Sequence, residues 1–142
     1  MGGCTLPAMA STPGDPVVLL KHFDRPDEVR LFEKGRFEIV HVGALTLGRA
    51  TYEPGWRWSE HVGPASGARL CDVEHVGMVL SGVATVAFED GRVVELKPGM
   101  LFHVPAVPHD SWVVGASRYV SLHFMGAGVY AARAADPSRE AR

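Results

Sequence analysis

Apolar and polar residues along this chain alternate in short runs that are rich in valine and aromatic residues and end at glycine or proline. An alternation with a period of two predicts β-strands, in which successive side chains point to opposite faces of a sheet. The predicted strands are Phe37–Val42, Ala44–Tyr52, Trp56–Val62, Leu70–Leu80, Ala84–Glu89, Val93–Leu96, Met100–Val104, Ser111–Val114 and Arg118–Phe124. No helical pattern of crossover length separates them, so a parallel α/β sheet is not expected.

The residues between these runs favour tight turns. Asp90-Gly91 lies between two β-rich runs and predicts a hairpin. Further breaks fall at Ser81-Gly82, Pro98-Gly99, Val107-Pro108 and Val114-Gly115. Many short strands with evenly spaced turns predict an all-β fold, a single barrel of the jelly-roll kind, because closure removes exposed sheet edges.

The two ends of the chain differ in composition from its middle. Gly, Pro, Ser and Thr predominate near the N-terminus, which predicts a disordered leader over residues 1–20. Asp24–Arg30 has a capping residue followed by Pro26 and predicts one helical turn. The barrel is expected over residues 21–130, and a short tail with a brief helix over residues 131–142. With 142 residues the chain is long enough for one domain and too short for two.

Composition and charge narrow the classes of function. The formal net charge is −2, and Lys and Arg are scattered along the sequence. This pattern gives no electrostatic footprint for nucleic acid or for an anionic membrane. The N-terminus lacks the features of a secretory signal, and no apolar run is long enough to cross a bilayer. We therefore expect a cytoplasmic protein whose two cysteines are thiols.

Three histidines carry the candidate chemistry. Five residues separate Gly55 from His61, six separate His75 from Gly82, and His109 lies near the start of a later strand. Imidazole is the commonest protein ligand for mid-sized divalent metals, and three imidazoles leave coordination positions open for water or substrate. The sequence thus predicts a transition-metal site.

These spacings resemble the two sequence motifs of the cupin superfamily. The glycine, first histidine, glutamate and final glycine of the first motif correspond to Gly55, His61, His75 and Gly82. The glycine, proline and histidine of the second motif correspond to Gly99, Pro105 and His109.

The chain also departs from both motifs. Gly63 stands where the first motif has a second histidine, His75 replaces its glutamate, and residues 64–70 lengthen the loop between them. In the second motif Val107 replaces glycine, Val113 replaces asparagine, and the histidine comes one residue early. A site that exchanges a carboxylate for an imidazole is less anionic than the superfamily pattern.

The runs PGWRWSEHV, VLSG and HDSWVVG, together with a cysteine four residues before a histidine, resemble a subgroup of small single-domain bacterial cupins. The resemblance covers about residues 20–130. It implies a cupin barrel and a metal site, and it implies no particular reaction. The ligands that it implies are His61, Cys71, His75 and His109.

Cys71 has two interpretations. A thiolate would make the site soft and nearly closed, which favours Zn over Fe, Mn or Ni. A buried, protonated Cys71 would instead be a small apolar side chain and would leave three histidines around an open site suited to Fe(II).

The resulting hypothesis is a metal-dependent enzyme that acts on a small organic molecule inside the barrel, of the isomerase, cyclase or lyase type with Zn. A Fe(II)-dependent dioxygenase and a non-enzymatic small-molecule or metal-binding cupin are the alternatives. Tyr119 and His123 alternate with Ser121 on the last strand, a polar face that suits a pocket wall. Arg57 shares a predicted strand face with His61. We therefore predict catalytic roles for Tyr119, His123 and Arg57.

The apolar stretch Phe37–Tyr52 is a candidate sheet edge for association with a second copy. Most soluble oligomers are symmetric homodimers, and a homodimer is expected here.

Overall fold

The computed structural model describes residues 17–132, which form nine strands and two short helices. The strands are β1 Glu28–Phe32, β2 Gly35–Val42, β3 Leu45–Tyr52, β4 His75–Ser81, β5 Val83–Phe88, β6 Val93–Leu96, β7 Leu101–Val104, β8 His109–Val114 and β9 Tyr119–Met125, and the helices are α1 Trp58–His61 and α2 Gly63–Ser66. Neither helix is long and apolar enough to cross a membrane. Residues 1–16 of the predicted leader and residues 133–142 of the predicted tail lie outside the described residues.

The strands form two antiparallel sheets. The larger has the order β1-β2-β3-β9-β4-β7, and the smaller has the order β6-β5-β8. The prediction of an all-β fold of the jelly-roll type is confirmed, although the two sheets are not joined into one closed cylinder. The largest fully buried side chains are those of Trp56, Phe37, Ile39, Val62 and Val79, together with the smaller Ser121.

The hairpin between β5 and β6 is confirmed. Phe88 N–H donates to the Arg92 carbonyl at 2.9 Å, which closes the turn around Asp90 and Gly91. Gly91 has φ +92°, a left-handed conformation that glycine adopts without the steric cost of a side chain.

The prediction of a strand over Trp56–Val62 is wrong, because the chain turns into α1 there. The backbone N–H of His61 donates to the Arg57 carbonyl at 2.9 Å. Trp58 and Val62, four residues apart, share the buried face of this turn. An alternation this short also fits one helical turn, so periodicity alone does not separate the two structures.

The predicted helical turn over Asp24–Arg30 is also wrong, because its second half belongs to β1. β1 pairs with β2, and β3 pairs with β9, so Phe37–Tyr52 lies inside the sheet and is not an edge. The carboxylate of Asp27 accepts a hydrogen bond from the backbone N–H of His41 at 2.7 Å. Pairing with β2 satisfies the backbone of this segment better than an isolated turn does. In the described part, the edges of the larger sheet are β1 and β7.

The buried guanidinium of Arg30 anchors the segment that follows β9. Arg30 Nη1 donates to the carbonyls of Ala127 and Tyr130 at 3.2 and 2.7 Å, and Nη2 donates to that of Gly128 at 3.0 Å. This contact places the ring of Tyr130 against Phe37, with centroids 4.8 Å apart. One end of the space between the sheets is therefore covered by residues 126–132.

Candidate metal centre

Two isolated β-bridges outside the named strands bring a thiol to the start of β8. Arg57 forms an isolated bridge with Trp112 of β8, and Cys71 forms another with His109 of β8. The segment between Arg57 and Cys71, which contains α1 and α2, therefore loops out between two contacts with the same strand. The backbone N–H of Cys71 donates to the His109 carbonyl at 2.9 Å, and the reverse hydrogen bond has the same length. This pairing fixes the side chains of Cys71 and His109 beside each other.

Cys71, His75 and His109 form a compact cluster. One ligand atom from each residue lies within 4.8 Å of the other two, and Cys71 Sγ is 3.6 Å from His75 Nε2. All three side chains are buried. His109 Nδ1–H donates to the Val107 carbonyl at 2.7 Å, which leaves the Nε2 lone pair free. Such a hydrogen bond is the usual means by which a protein sets the tautomer of a histidine ligand.

Burial holds the cluster neutral. It raises the pKa of Cys71 to about 12 and lowers the pKa of His75 to about 2, and it also lowers the pKa of His109. The neighbouring imidazoles His123 and His109 lower the pKa of His75 further. Neutral imidazoles have the lone pairs that a metal needs, and a bound cation favours the thiolate that burial opposes.

The three residues fit a divalent transition metal. Two ligands of one tetrahedral zinc, with Zn–S about 2.3 Å and Zn–N about 2.0–2.1 Å, lie roughly 3.5 Å apart. The separation of 3.6 Å between Cys71 Sγ and His75 Nε2 agrees with this value. Two imidazoles and one thiolate are a donor set that zinc prefers.

The structure does not bring His61 to the cluster. Its Nδ1 accepts a hydrogen bond from the backbone N–H of Arg57 at 2.9 Å, and its Nε2 lies 3.9 Å from a carboxylate oxygen of Glu33. The physical reason is α1, which replaces the expected strand and turns the ring towards its own backbone. Gly63, at the position of the second motif histidine, has no room for a side chain, because a Cβ would collide with the Ala68 carbonyl and touch the Trp58 ring.

A cavity of about 50 Å³ lies beside the cluster, between the two sheets. Tyr119 and His123, both predicted as catalytic, line it together with Cys71, His75 and His109. Burial lowers the pKa of His123 to about 4 and raises the pKa of Tyr119 to about 12, so both side chains are neutral at pH 7.

Arg57, the third residue predicted as catalytic, does not line the cavity. Its guanidinium carbon lies 4.2 Å from the ring centroid of Trp112, and Nη1 donates to the Asp110 carboxylate at 3.1 Å. The same carboxylate accepts from Ser59 Oγ at 2.7 Å. These contacts attach α1 to β8 and hold the guanidinium beside Trp112 and Asp110.

Aromatic residues that the sequence did not assign to the site complete the cavity wall. Tyr52 O–H donates to the Tyr130 hydroxyl at 2.6 Å, and the ring of Tyr130 lies 5.3 Å from that of His75. Trp56 stacks on Tyr52 with centroids 3.8 Å apart, and Trp58 lies on the same wall. The only signal for these residues in the sequence is their aromatic character, which is as typical of a core as of a ligand site.

No protein-family profile matches this sequence, and no curated protein does. Among solved structures, procruciferin, an 11S globulin from Brassica napus, is similar with a TM-score of 0.53 and 14% identity, over 75% of this chain and 30% of that one. A protein of unknown function from Acinetobacter sp. ADP1 is similar with a TM-score of 0.51 and 11% identity, over 69% of this chain and 90% of that one.

A cupin superfamily protein from Desulfitobacterium hafniense DCB-2 also matches, with a TM-score of 0.44 and 15% identity, over 70% of this chain and 80% of that one. At these identities the matches concern the fold alone. The fold that the resemblance to cupins implies, two antiparallel sheets of the jelly-roll type, is confirmed, and the two structures with TM-scores above 0.5 share it.

Proposed function

We propose that this protein binds one divalent transition metal through Cys71, His75 and His109 and uses it on a small organic molecule in the adjoining cavity. The observation that carries the proposal is the convergence of three buried ligand atoms within 4.8 Å at a cavity wall. Structural zinc sites are usually closed by four protein ligands, whereas catalytic sites keep one position open. Within residues 17–132 the cluster offers three ligands, which is the catalytic pattern.

Zinc is the metal that this donor set favours over iron, manganese or nickel. A thiolate is a soft ligand, and the manganese and iron sites that activate oxygen are richer in carboxylate and imidazole. No Asp or Glu lies in the cluster. When bound, such a metal acts as a Lewis acid and polarises a carbonyl or enolate oxygen of the substrate.

The chain's own residues hold the metal ligands in place and provide hydrogen bonds to the substrate. The hydrogen bond from His109 to Val107 fixes one ligand, and the backbone pairing of His109 with Cys71 fixes another. Tyr119 remains protonated at pH 7 and serves as a hydrogen-bond donor. His123, whose Nε2 lies 3.1 Å from Ser121 Oγ, is a neutral imidazole at pH 7 and provides a hydrogen bond to the substrate.

These features support a reaction of the isomerase, cyclase or lyase type, in which protons move and no oxidant is needed. A cavity of about 50 Å³ limits the reacting part of the substrate to a few atoms. Aliphatic walls at Val86, Leu96 and Val104 exclude water from that part.

Metal analysis of protein purified without an affinity tag tests the proposal. We expect close to one equivalent of zinc in the wild type and its loss in His75→Ala/His109→Ala, because the double variant keeps one ligand. His103→Ala is the matched control, since His103 is exposed on β7 and pairs with Glu74. His61→Ala is expected to keep its metal as well.

An unchanged metal content in the double variant would contradict the proposed site. One equivalent of iron in place of zinc would overturn the assignment of zinc and favour oxygen-dependent chemistry at the same residues. Circular dichroism of each variant separates loss of metal from loss of fold.

A further inference from the structure

The unpartnered polar atoms of the interior collect at one place. Within residues 17–132, four buried side-chain nitrogens have no hydrogen-bond partner, namely Trp56 Nε1, Trp58 Nε1, His75 Nδ1 and His123 Nδ1. All four residues line the cavity beside the metal cluster. A buried polar atom without a partner costs about 1–3 kcal/mol, so four around one cavity indicate that its occupant supplies hydrogen-bonding atoms.

Two of these nitrogens are donors in every protonation state. An indole carries one N–H and accepts no hydrogen bond in its plane, so Trp56 and Trp58 require an acceptor. The Cζ3 and Cε3 edge of Trp58 faces Gly63, within 3.0 and 3.4 Å of a Cβ built there. The indole nitrogen lies on the opposite edge of the ring, away from α2. The occupant therefore presents oxygen atoms that accept from two N–H groups.

The charges around the cavity select an anion with one charge. None of the residues that line it is Lys, Arg, Asp or Glu. A divalent metal held by the Cys71 thiolate and two imidazoles has a net charge of +1. One negative charge on the occupant neutralises that charge, whereas a second would be buried without compensation.

Volume sets the size of the occupant. The cavity measures about 50 Å³. One water needs about 10–15 Å³ of probe-filled space, so this cavity accommodates about three to five non-hydrogen atoms without rearrangement. Aliphatic contacts are available from Ala84, Val86 and Val104.

We propose that the cavity binds a short monocarboxylate, whose oxygens accept hydrogen bonds from Trp56 Nε1–H and Trp58 Nε1–H while its alkyl part contacts the aliphatic wall. The charge assigned to the ligand rests on the proposed function. The oxygen atoms assigned to it rest on the two indoles. Trp56 and Trp58 are then the residues that determine specificity for a carboxylate.

A titration with acetate, followed by the indole N–H signals in a proton–nitrogen NMR correlation spectrum, tests the inference. The chain has three tryptophans, and Trp112, which packs under Arg57, is an internal control. We expect saturable downfield shifts of the Trp56 and Trp58 signals and none of the Trp112 signal. Acetamide, which has the same shape without the charge, and malonate, which has two charges, are expected to produce no saturable shift.

The variant Trp58→Phe is expected to bind acetate about 10-fold more weakly or worse, because it loses one hydrogen bond to a charged group. Trp112→Phe is expected to bind acetate as the wild type does. Both variants are expected to keep their metal, which is measured on the same samples.

Absence of a saturable shift with acetate, in protein that holds one equivalent of metal, would overturn the inference and leave the proposed function standing. Equal shifts with acetamide would also overturn it, because the cavity would then take any small acceptor, water included. Absence of metal from the wild type would refute the proposed function, whatever the indole signals show.

Discussion

Replacing Arg30 by methionine is predicted to destabilise the protein by about 3 kcal/mol and to open the cavity. Arg30 is 8% exposed, and its guanidinium satisfies three carbonyls of the segment that follows β9. The bonds to Ala127 and Tyr130 are buried, and each hydrogen bond from a charged group contributes about 1.5 kcal/mol or more. The bond to Gly128 is partly exposed, so water can replace it. Methionine keeps the apolar contacts of the side-chain stem.

Urea unfolding followed by circular dichroism measures the change in the free energy of unfolding. Arg69→Met is the matched control, because Arg69 is 74% exposed in its pair with Glu89, and it is predicted to change that free energy by no more than about 0.5 kcal/mol. Hydrogen exchange supplies a local readout: the Tyr130 amide, which donates to the Gly126 carbonyl at 3.0 Å, is predicted to exchange faster in Arg30→Met. A loss below 1 kcal/mol, with unchanged exchange at Tyr130, would refute the account of this anchor.

Three further predictions concern Tyr119, the Cys71 thiol and the assembly. Because burial raises the pKa of Tyr119 in the folded state to about 12, its contribution to stability is complete below pH 10 and is lost as the pH rises towards 12. The alkaline fall in unfolding free energy is predicted to be smaller by about 2 kcal/mol in Tyr119→Phe, as measured by urea unfolding at pH 9 and pH 12, and an equal fall would contradict this. In a Cys4→Ser background, Cys71 is predicted to react faster with an alkylating reagent after a chelator removes the metal; an unchanged rate, with the fold intact, would mean that Cys71 only packs. A homodimer remains our prediction, although Phe37–Tyr52 is not the sheet edge that would mediate it, and light scattering that gives only the 15.3 kDa monomer at micromolar concentration would refute it.

Much of the fold follows from local sequence. β6 spans the predicted residues Val93–Leu96, and the hairpin before it was marked by Asp90-Gly91, because few residues other than glycine accept the backbone conformation of that turn. β1 escaped prediction, since Glu28–Phe32 has Val29 and Leu31 on its exposed side and the charged Arg30 on its buried side. Its stability comes from pairing with β2 and from the buried Arg30, neither of which the alternation of its side chains indicates.

The candidate site was likewise predicted from the sequence only in part. Spacing alone placed His75 and His109 together, because both stand at strand starts that the fold brings to one end of the cavity. His61 was expected with them on the assumption of a regular strand, and a single helical turn at Trp58–His61 removed it. The contribution of Cys71 depends on its backbone bridge to His109, a contact between residues far apart in the chain that no local pattern encodes.

X-ray absorption at the edge of the metal that co-purifies with the wild-type protein tests the central claim most directly. With Cys71, His75 and His109 as ligands, the first coordination shell is predicted to contain one sulfur at about 2.3 Å and two imidazole nitrogens at about 2.0–2.1 Å, with any remaining ligand a light atom from solvent or substrate. In Cys71→Ser the sulfur contribution is predicted to disappear. A shell of light atoms without sulfur in the wild type would contradict the account, because Cys71 would then lie beside the metal without binding it.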